Sequence, residues 1–251
     1  MSVSKIGFRF RMIIQIVIVF LGFWSPWIGV FDLGRRVATL EWLALQISRM
    51  GIANFTVAAP IVIIVGALLA LAGAVFRVWG AAYLGYLTVH HAEMQAGTLM
   101  AAGPYRYVRN PLYLGGWFMV AAVSLLMPPT GALFTMVLVT FFYVRTILSE
   151  ETFLAAQLGE PYRDYLRAVP RLIPRLRSSL PHAEAHPHWL IAFITEINAL
   201  GIFVALAFLS WTYNNLLMIK AIVVCFGISL IVRALMPRNG DDAGDAAPKA
   251  A

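Results

Sequence analysis

Charged residues and cysteines are scarce in this sequence. Charged side chains make up 12% of the 251 residues, about half of the roughly 25% that is usual in soluble domains. The single cysteine, Cys225, lies inside an apolar run. One cysteine cannot form an internal disulfide, and the chain has no Cys or His spacing that is typical of a metal site. The sequence therefore indicates neither a disulfide-rich secreted domain nor a soluble metalloenzyme, and we expect no bound metal.

The sequence is instead rich in apolar residues. They make up 61% of the chain, and the mean hydropathy is +0.79. Six segments approach the roughly 17–25 residues that cross a bilayer: 12–31, 57–76, 112–128, 130–148, 189–210 and 215–235. The sequence therefore predicts an all-α fold, a polytopic bundle of about six transmembrane helices with a cytoplasmic helix and loop region.

The sequence around these spans adds detail. We expect the first span to be retained rather than cleaved as a signal peptide, because it is about 20 residues long and has no A-x-A site. Segment 35–51 has apolar residues at helical spacing but is too short to span, so we expect it to lie in the membrane interface. Pro128, Pro129 and Gly131 predict a break between the third and fourth spans. The second span is predicted to continue as a helix past Arg77.

Four parts of the chain follow from this pattern. Residues 1–56 hold the first span and the interfacial segment, and residues 57–177 form a core with spans two to four and a cytoplasmic segment. Residues 178–238 form a C-terminal hairpin of two spans. Residues 239–251 are small and polar, and they are predicted to be disordered.

The net charge of +7 is concentrated between the spans. Arginines gather in the 77–111 loop and in the 149–188 segment. Lys and Arg favour the cytoplasmic side of a membrane, so we expect both termini and both polar segments in the cytoplasm, in a protein of the cell inner membrane. Cytoplasmic loops and anionic lipid headgroups account for the positive charge, and we therefore expect no nucleic-acid partner.

The densest polar cluster is "AAGPYRYVRNPLYLGG", residues 101–116. Gly103-Pro104 predicts a turn, and Asn110-Pro111 predicts the start of the third span, with Asn110 as a cap. A helix start carries free amides and the positive end of the dipole, so it attracts an anion. Arginine can bind an anion, tyrosine can contact an aromatic ring or a ribose, and glycine lets a ligand or another backbone approach closely. The stretch holds these residue types at Tyr105, Arg106, Tyr107, Arg109, Tyr113, Gly115 and Gly116.

A second polar stretch, "VRTILSEETFLAAQLGEPYRDYLRAVPRLIP", follows the fourth span at residues 144–174. Glu150 and Glu151 lie where that span leaves the membrane. Adjacent residues on a helix point about 100° apart, so we expect only one of the two to face inward. S-adenosylmethionine matches the chemistry of both stretches, because it carries a carboxylate, an ammonium, an aromatic ring and a ribose. Other nucleotides remain possible on this chemistry alone.

The chain resembles the isoprenylcysteine carboxyl methyltransferase and phospholipid methyltransferase group of integral membrane enzymes. The resemblance covers residues 66–174 through "GPYRYVRNPLYLG", an apolar hairpin and "EETFL…GEPYRDYLRAVPRLIP", with Asn110 where the family commonly has His. It implies an S-adenosylmethionine pocket between the hairpin and the following cytoplasmic helix. Together with the residue chemistry it implies Arg109, Glu150 and Glu151 as catalytic residues, and as cofactor-binding residues Tyr105, Arg106, Tyr107, Asn110, Pro111, Tyr113, Gly115, Tyr162, Tyr165 and Arg171.

The resemblance implies methyl transfer from S-adenosylmethionine to a membrane lipid or a lipidated small molecule, with an isoprenylcysteine-like carboxylate or a phospholipid-like amine as the acceptor group. Charges inside spans are unfavourable unless they are paired or face a cavity, so Arg145 and Glu196 are expected to line the acceptor path. Glu196 could equally hydrogen-bond to neighbours of Asn198.

Two other functions stay open. Membrane sterol and steroid reductases carry a related Arg-His-Pro-x-Tyr step and use NADPH, but they tend to continue with Gly-Glu where this chain has Leu114-Gly115. The last alternative is a transporter or a scaffold without enzymatic activity, and the lack of an internal repeat speaks against it.

Overall fold

The computed structural model describes residues 3–26, 37–89, 102–177, 180, 186–212 and 214–235. Within these residues every regular element is helical, so the predicted all-α fold is confirmed. A short 3-10 turn spans Gly103–Arg106. The α-helices are α1 (Val3–Trp24), α2 (Thr39–Arg49), α3 (Phe55–Val89), α4 (Pro111–Ser124), α5 (Pro129–Leu158), α6 (Glu160–Ala168), α7 (Trp189–Thr195), α8 (Ile197–Thr212) and α9 (Asn215–Leu235). The predicted tail, 239–251, lies outside the described residues.

Helix α3 is the centre of the bundle. It packs against α2, α4, α7 and α8, while α1 packs on α5 and α9 packs on α8. The core is built from small and aliphatic side chains, including Ala70 and Ala74 of α3 and Met119 and Ala122 of α4. Small residues let helix backbones approach closely in a membrane, and this packing holds the start of α4 against the middle of α3.

The apolar segments are helical where they were predicted, but they differ in length. Two helices, Phe55–Tyr83 and α5, are long and apolar enough to cross a membrane, and α7 with α8 makes a third if this bent pair is one span. Three further helices, α1, α4 and α9, have shorter apolar parts: Met12–Trp24, Pro111–Ser124 and Leu216–Val232. These helices are those of an integral membrane protein, whereas the count of six spans stays a prediction.

The predicted break between the third and fourth spans is confirmed, because α4 ends at Ser124 and α5 begins at Pro129, but two details differ from the sequence analysis. Gly131 does not break a helix, because α5 begins at Pro129 and includes it. Proline is tolerated in the first turn, where its missing amide has no helical partner, and Gly131 lies against the backbone carbonyl of Gly22, which leaves no room for a side chain. The fifth segment is not one straight helix either, because α7 and α8 meet at Glu196 with a bend of 66°.

Helix α2 lies on the turn between α4 and α5. The amides of Thr39 and Leu40 donate to the carbonyls of Met127 (2.7 Å) and Leu125 (2.9 Å). These bonds satisfy amides at the helix start that have no partner within the helix. Helix α2 is thus held by the far end of the α4–α5 hairpin, and α3 continues past Arg77 to Val89 as predicted.

Gly159 links the long helix α5 to the short helix α6. It has φ +66° and ψ −142°, a backbone conformation that is essentially restricted to glycine. Beyond it, Tyr162 and Tyr165 of α6 are buried against Leu154 and Leu158 of α5. This turn folds α6 back towards the start of α4, where the two polar stretches meet.

Candidate functional site

The two polar stretches are tied together by backbone hydrogen bonds. The amide of Arg109 donates to the carbonyl of Pro170 (2.9 Å), and the amide of Arg175 donates to the carbonyl of Tyr107 (3.0 Å). The hydroxyl of Tyr165 donates to the carbonyl of Tyr105 (2.9 Å). Residues 105–109 therefore lie directly against residues 165–175, at the end of the hairpin where α4 begins and α5 ends.

Glu151 is the centre of this region, with an exposed fraction of 6%. Its Oε2 accepts hydrogen bonds from Nε (3.0 Å) and Nη2 (2.8 Å) of Arg171. Its Oε1 accepts one from Nδ2 of Asn110 (3.3 Å). Nε of Arg109 lies 3.4 Å from the same oxygen, close enough for charge attraction, but its direction does not make a hydrogen bond. One buried carboxylate thus lies between two guanidinium groups.

Glu150 faces a different helix from its neighbour. Its Oε1 accepts a hydrogen bond from the hydroxyl of Tyr113 on α4 (2.7 Å), and the ring of Tyr113 meets Tyr143 edge-on with centroids 5.3 Å apart. Of the two glutamates only Glu151 is buried, whereas Glu150 is half-buried. The turn of about 100° between neighbours directs Glu151 towards α6 and Glu150 towards α4, and both sides are occupied by protein.

The helix start at Pro111 is as predicted, but Asn110 does not cap it with its side chain. The amide nitrogen of Asn110 instead donates to Glu151 and to the carbonyl of Arg171 (3.2 Å). Both donor hydrogens therefore point away from the helix, into the polar cluster. The positive end of α4 remains next to Arg109 and Glu151, as the sequence led us to expect.

Three tyrosines of the site, Tyr105, Tyr162 and Tyr165, have raised pKa values. The hydroxyl of Tyr105 donates to the carbonyl of Gly80 (3.4 Å), and burial raises its pKa. Burial also raises the pKa of Tyr165. It raises the pKa of Tyr162 to about 12, with a further contribution from the negative charge of Glu151. None of the three hydroxyls can therefore act as a base near neutral pH. Tyr107 lies beside Trp79, with centroids 6.0 Å apart.

Arg106 belongs to a separate contact. Its Nη2 donates to the carbonyl of Leu180 (2.6 Å), and its guanidinium carbon lies 6.0 Å from the ring centroid of Tyr107. Arg106 therefore holds the segment before α7 rather than the Glu151 cluster. Its Nε is buried without a hydrogen-bond partner among the described residues.

The other predicted residues lie further from Glu151. Gly115 contacts α3, since a Cβ there would be 2.8 Å from the carbonyl oxygen of Gly73. Arg145 is exposed on α5. Glu196 binds Arg77 of α3 through two hydrogen bonds, of 2.5 and 2.9 Å.

Sequence reasoning missed two of these polar contacts. It treated Arg77 as a marker of the loop, although an arginine in an apolar helix needs a carboxylate partner, and Glu196 was the carboxylate inside the predicted fifth span. It also gave no role to Gln15, whose Nε2 donates to the hydroxyl of Tyr143 (2.5 Å). Both pairs join residues that are more than 100 positions apart.

An open depression of about 460 Å³ lies beside the Glu151 cluster, between the end of α5 and α6. Small-molecule sites commonly have volumes of roughly 300–1,000 Å³. The depression has one wall of apolar side chains and one of charged ones, and it is lined by Leu148, Glu151, Thr152, Ala155, Ala156, Arg163, Leu166 and Arg171. A ligand there would contact both charges of the Glu151–Arg171 pair.

Known proteins resemble part of this chain. Residues 61–161 match the family described as phospholipid methyltransferase. A stretch of 70 residues is 43% identical to the methanethiol S-methyltransferase of Crocosphaera subtropica, and it covers 28% of this chain and 27% of that relative. No solved structure matches the chain. The family match runs from near the start of α3 to the start of α6, and it agrees with the resemblance to this group of methyltransferases that the sequence implied.

Proposed function

We propose that this protein is an integral membrane methyltransferase that uses S-adenosylmethionine and methylates an acceptor with a hydrophobic tail. The observation that carries the proposal is the buried Glu151 between Arg109 and Arg171. Arg109 and Glu151 of this cluster lie in the segment that matches the phospholipid methyltransferase family, and Arg171 follows ten residues after its end. The name of the relative supports methyl transfer, and the apolar helices support an acceptor that partitions into the bilayer.

The residues present fit the charged groups of S-adenosylmethionine. Its carboxylate needs a cation, and Arg171 has a side chain that is 42% exposed, while Nε of Arg109 is a buried donor without a hydrogen-bond partner among the described residues. Its ammonium needs an anion, and Glu151 borders the depression next to α6. Tyr162 is buried close by, and its ring is suited to packing against an aromatic base.

When bound, S-adenosylmethionine supplies an electrophilic methyl group for an in-line displacement and leaves as a neutral thioether. The chain then has to align donor and acceptor and exclude water. Glu151, Arg109 and Arg171 would hold the amino-acid end of the donor. Tyr105 and Tyr165, whose hydroxyls donate to backbone carbonyls, would keep the walls of the site rigid.

The acceptor and the orientation belong to the same proposal. Arginines of the 77–111 and 149–188 segments favour a cytoplasmic position for the Glu151 cluster, so the donor would reach it from the cytoplasm. A lipid-tailed acceptor would reach it from the bilayer, past α4 and α5. Its reacting group could be a carboxylate, an amine or, by analogy with the relative's name, a thiol.

The rival functions predict different ligands. A reductase would bind NADPH, whereas a transporter or a scaffold would bind neither cofactor. Calorimetry on the purified protein in nanodiscs should show saturable binding of S-adenosylmethionine and little affinity for NADPH. The opposite order would support a reductase, and binding of neither would remove the enzymatic proposal.

A matched pair of arginine variants makes the test specific to the site. Arg171→Gln removes the two hydrogen bonds to Glu151, and we expect donor affinity to fall at least tenfold. Arg167→Gln alters an exposed pair with Asp164 on the same segment, with Arg167 74% exposed, and such pairs contribute little. Equal donor affinities in the two variants would contradict the placement of the donor beside Glu151.

A further inference from the structure

A second charged pair lies inside the bundle, away from the Glu151 cluster. Arg77 on α3 and Glu196 at the break between α7 and α8 form a fork, with Nε to Oε2 at 2.5 Å and Nη2 to Oε1 at 2.9 Å. Their side chains are 26% and 7% exposed. Ionisable residues at membrane depth are unfavourable and usually mark a functional path. This pair joins the family segment to helices outside it.

The pair lies beside the proposed donor site, further into the hairpin. Gly115 is four residues into α4 from Pro111, about 6 Å along the helix axis, and a Cβ there would be 2.7 Å from Cγ of Arg77. On the next residue, Gly116, a Cβ would be 2.8 Å from the hydroxyl of Tyr143. Gly115 and Gly116 therefore leave room beside α4 for the side chains of Arg77 on α3 and Tyr143 on α5.

Several polar groups therefore lie around the first turns of α4. The hydroxyl of Tyr105 donates to the carbonyl of Gly80 on α3, and its pKa is raised by burial and further by the negative charges of Glu150 and Glu196. Tyr143 receives a hydrogen bond from Gln15 of α1. This region lies between the proposed donor site and the apolar part of the bundle. The head group of an acceptor would occupy this region if its tail remained among the apolar helices.

The charges in this region have a consequence for the acceptor. The positive charge of Arg77 and the negative charge of Glu196 cancel each other. A carboxylate that binds Arg77 must displace Glu196, which would leave a buried anion without its partner, and such a loss is strongly unfavourable. A thiol or a hydroxyl can accept or donate one hydrogen bond at the edge of the pair and leave it intact.

We propose that Arg77 and Glu196 bind the head group of the methyl acceptor, and that this charge-balanced pair selects an uncharged polar head over a carboxylate. The inference rests on the proposed function and narrows the substrate class of that same site. It assigns α7 and α8 to acceptor recognition, while the Glu151 cluster serves the donor.

The experiment compares two tritiated probes with the same alkyl tail, dodecanethiol and dodecanoate. Equilibrium binding is measured on donor-saturated protein in nanodiscs, at a pH where the thiol is protonated and the carboxylate is ionised. The parent protein should bind dodecanethiol at least tenfold more tightly. Glu196→Gln frees the charge of Arg77, so dodecanoate should bind at least tenfold more tightly than to the parent, while dodecanethiol binds no better.

Two variants separate recognition from folding. The double variant Arg77→Glu with Glu196→Arg is again neutral, so it should recover the melting temperature lost in Glu196→Gln and the preference for dodecanethiol. Glu160→Gln, at an exposed pair with Arg163, should bind both probes as the parent does. A pair with a purely structural role would move both probes in the same direction in Glu196→Gln.

The outcomes are distinct from those that test the proposed function. If the parent binds dodecanoate as well as dodecanethiol, or if Glu196→Gln shifts both probes alike, the inference is wrong even where S-adenosylmethionine binds. If calorimetry on the same preparation shows no S-adenosylmethionine binding, the proposed function itself fails.

Discussion

Glu150 and Glu151 are adjacent, yet they have different surroundings. Glu151 is buried between two arginines and an asparagine, while Glu150 is less buried and is hydrogen-bonded to Tyr113. Removing one partner of a buried charge pair costs about 2–5 kcal/mol, and a change to glutamine costs less. We therefore expect Glu151→Gln to weaken S-adenosylmethionine binding at least tenfold and to lower the melting temperature. Glu150→Gln should have a smaller effect on both, as measured by calorimetry and thermal unfolding.

A third variant tests the geometry of the cluster. Arg109→Lys keeps the charge but loses the planar fork, including the hydrogen bond from Nη1 to the carbonyl of Leu166 (3.1 Å), so donor affinity should also fall. If both glutamine variants bind the donor like the parent, Glu151 serves only to hold α6 against α4, and the donor must bind elsewhere.

At the residue scale, the sequence identified residues of the candidate site, but it did not identify the partners that they contact. The order Arg109-Asn110-Pro111 before an apolar run is visible in the sequence, and so is the Glu150-Glu151 pair. Their contacts depend on α6 folding back at Gly159. The side chain of Asn110 illustrates the limit, because the sequence offered a helix cap and a nearby carboxylate was the stronger acceptor.

At the scale of elements, the crossing of α3 and α4 places Arg77 next to the site. A Cβ on Gly115 would lie 2.8 Å from the carbonyl oxygen of Gly73 and 2.7 Å from Cγ of Arg77. Gly115→Ala should therefore push the two helices apart and lower the melting temperature, although alanine is the better helix former. Thermal unfolding in detergent measures the difference.

Gly227 provides the matched control for that substitution. It lies in α9, where a Cβ would meet no atom within 4 Å. Replacing a helical glycine with alanine gains up to about 1 kcal/mol from helix propensity. We expect Gly227→Ala to melt at the parent's temperature or above it. If Gly115→Ala is equally stable, the close contact between α3 and α4 is not a requirement of the fold.

Hydrophobic patterning predicted where helices occur and left their ends and bends unspecified. It predicted a helix that continues past Arg77, and it predicted correctly that the long helix α5 ends at Gly159. It did not show the bend at Glu196, because that bend accompanies an ion pair with a residue 119 positions away. It also took Gly131 for a helix breaker, whereas the close approach of α1 at Gly22 gives this glycine its role.

At the scale of the whole molecule, the orientation in the membrane is a prediction from charge. The arginine-rich segments 77–111 and 149–188 are expected in the cytoplasm, and the turns at Pro129 and Asn214 are expected on the opposite side. Reporter fusions at these two positions should read outside, and a fusion at Arg177 should read cytoplasmic. A cytoplasmic signal at Pro129 would reverse the orientation of the hairpin and place the Glu151 cluster on the far side.

The fusion at Asn214 tests a further point. Helices α7 and α8 are bent by 66° relative to each other, and together they form either one broken span or a re-entrant loop. We expect one broken span. Helix α8 has 16 residues, about 24 Å at 1.5 Å per residue, and it packs along α3, which is itself long enough to cross the bilayer. Cysteine labelling of Asn214→Cys in a Cys225→Ala background, with a reagent that does not cross the membrane, should then give signal from outside in intact cells. Labelling only after the cells are opened would show a re-entrant loop, with Glu196 near the membrane surface rather than on a path through the bilayer.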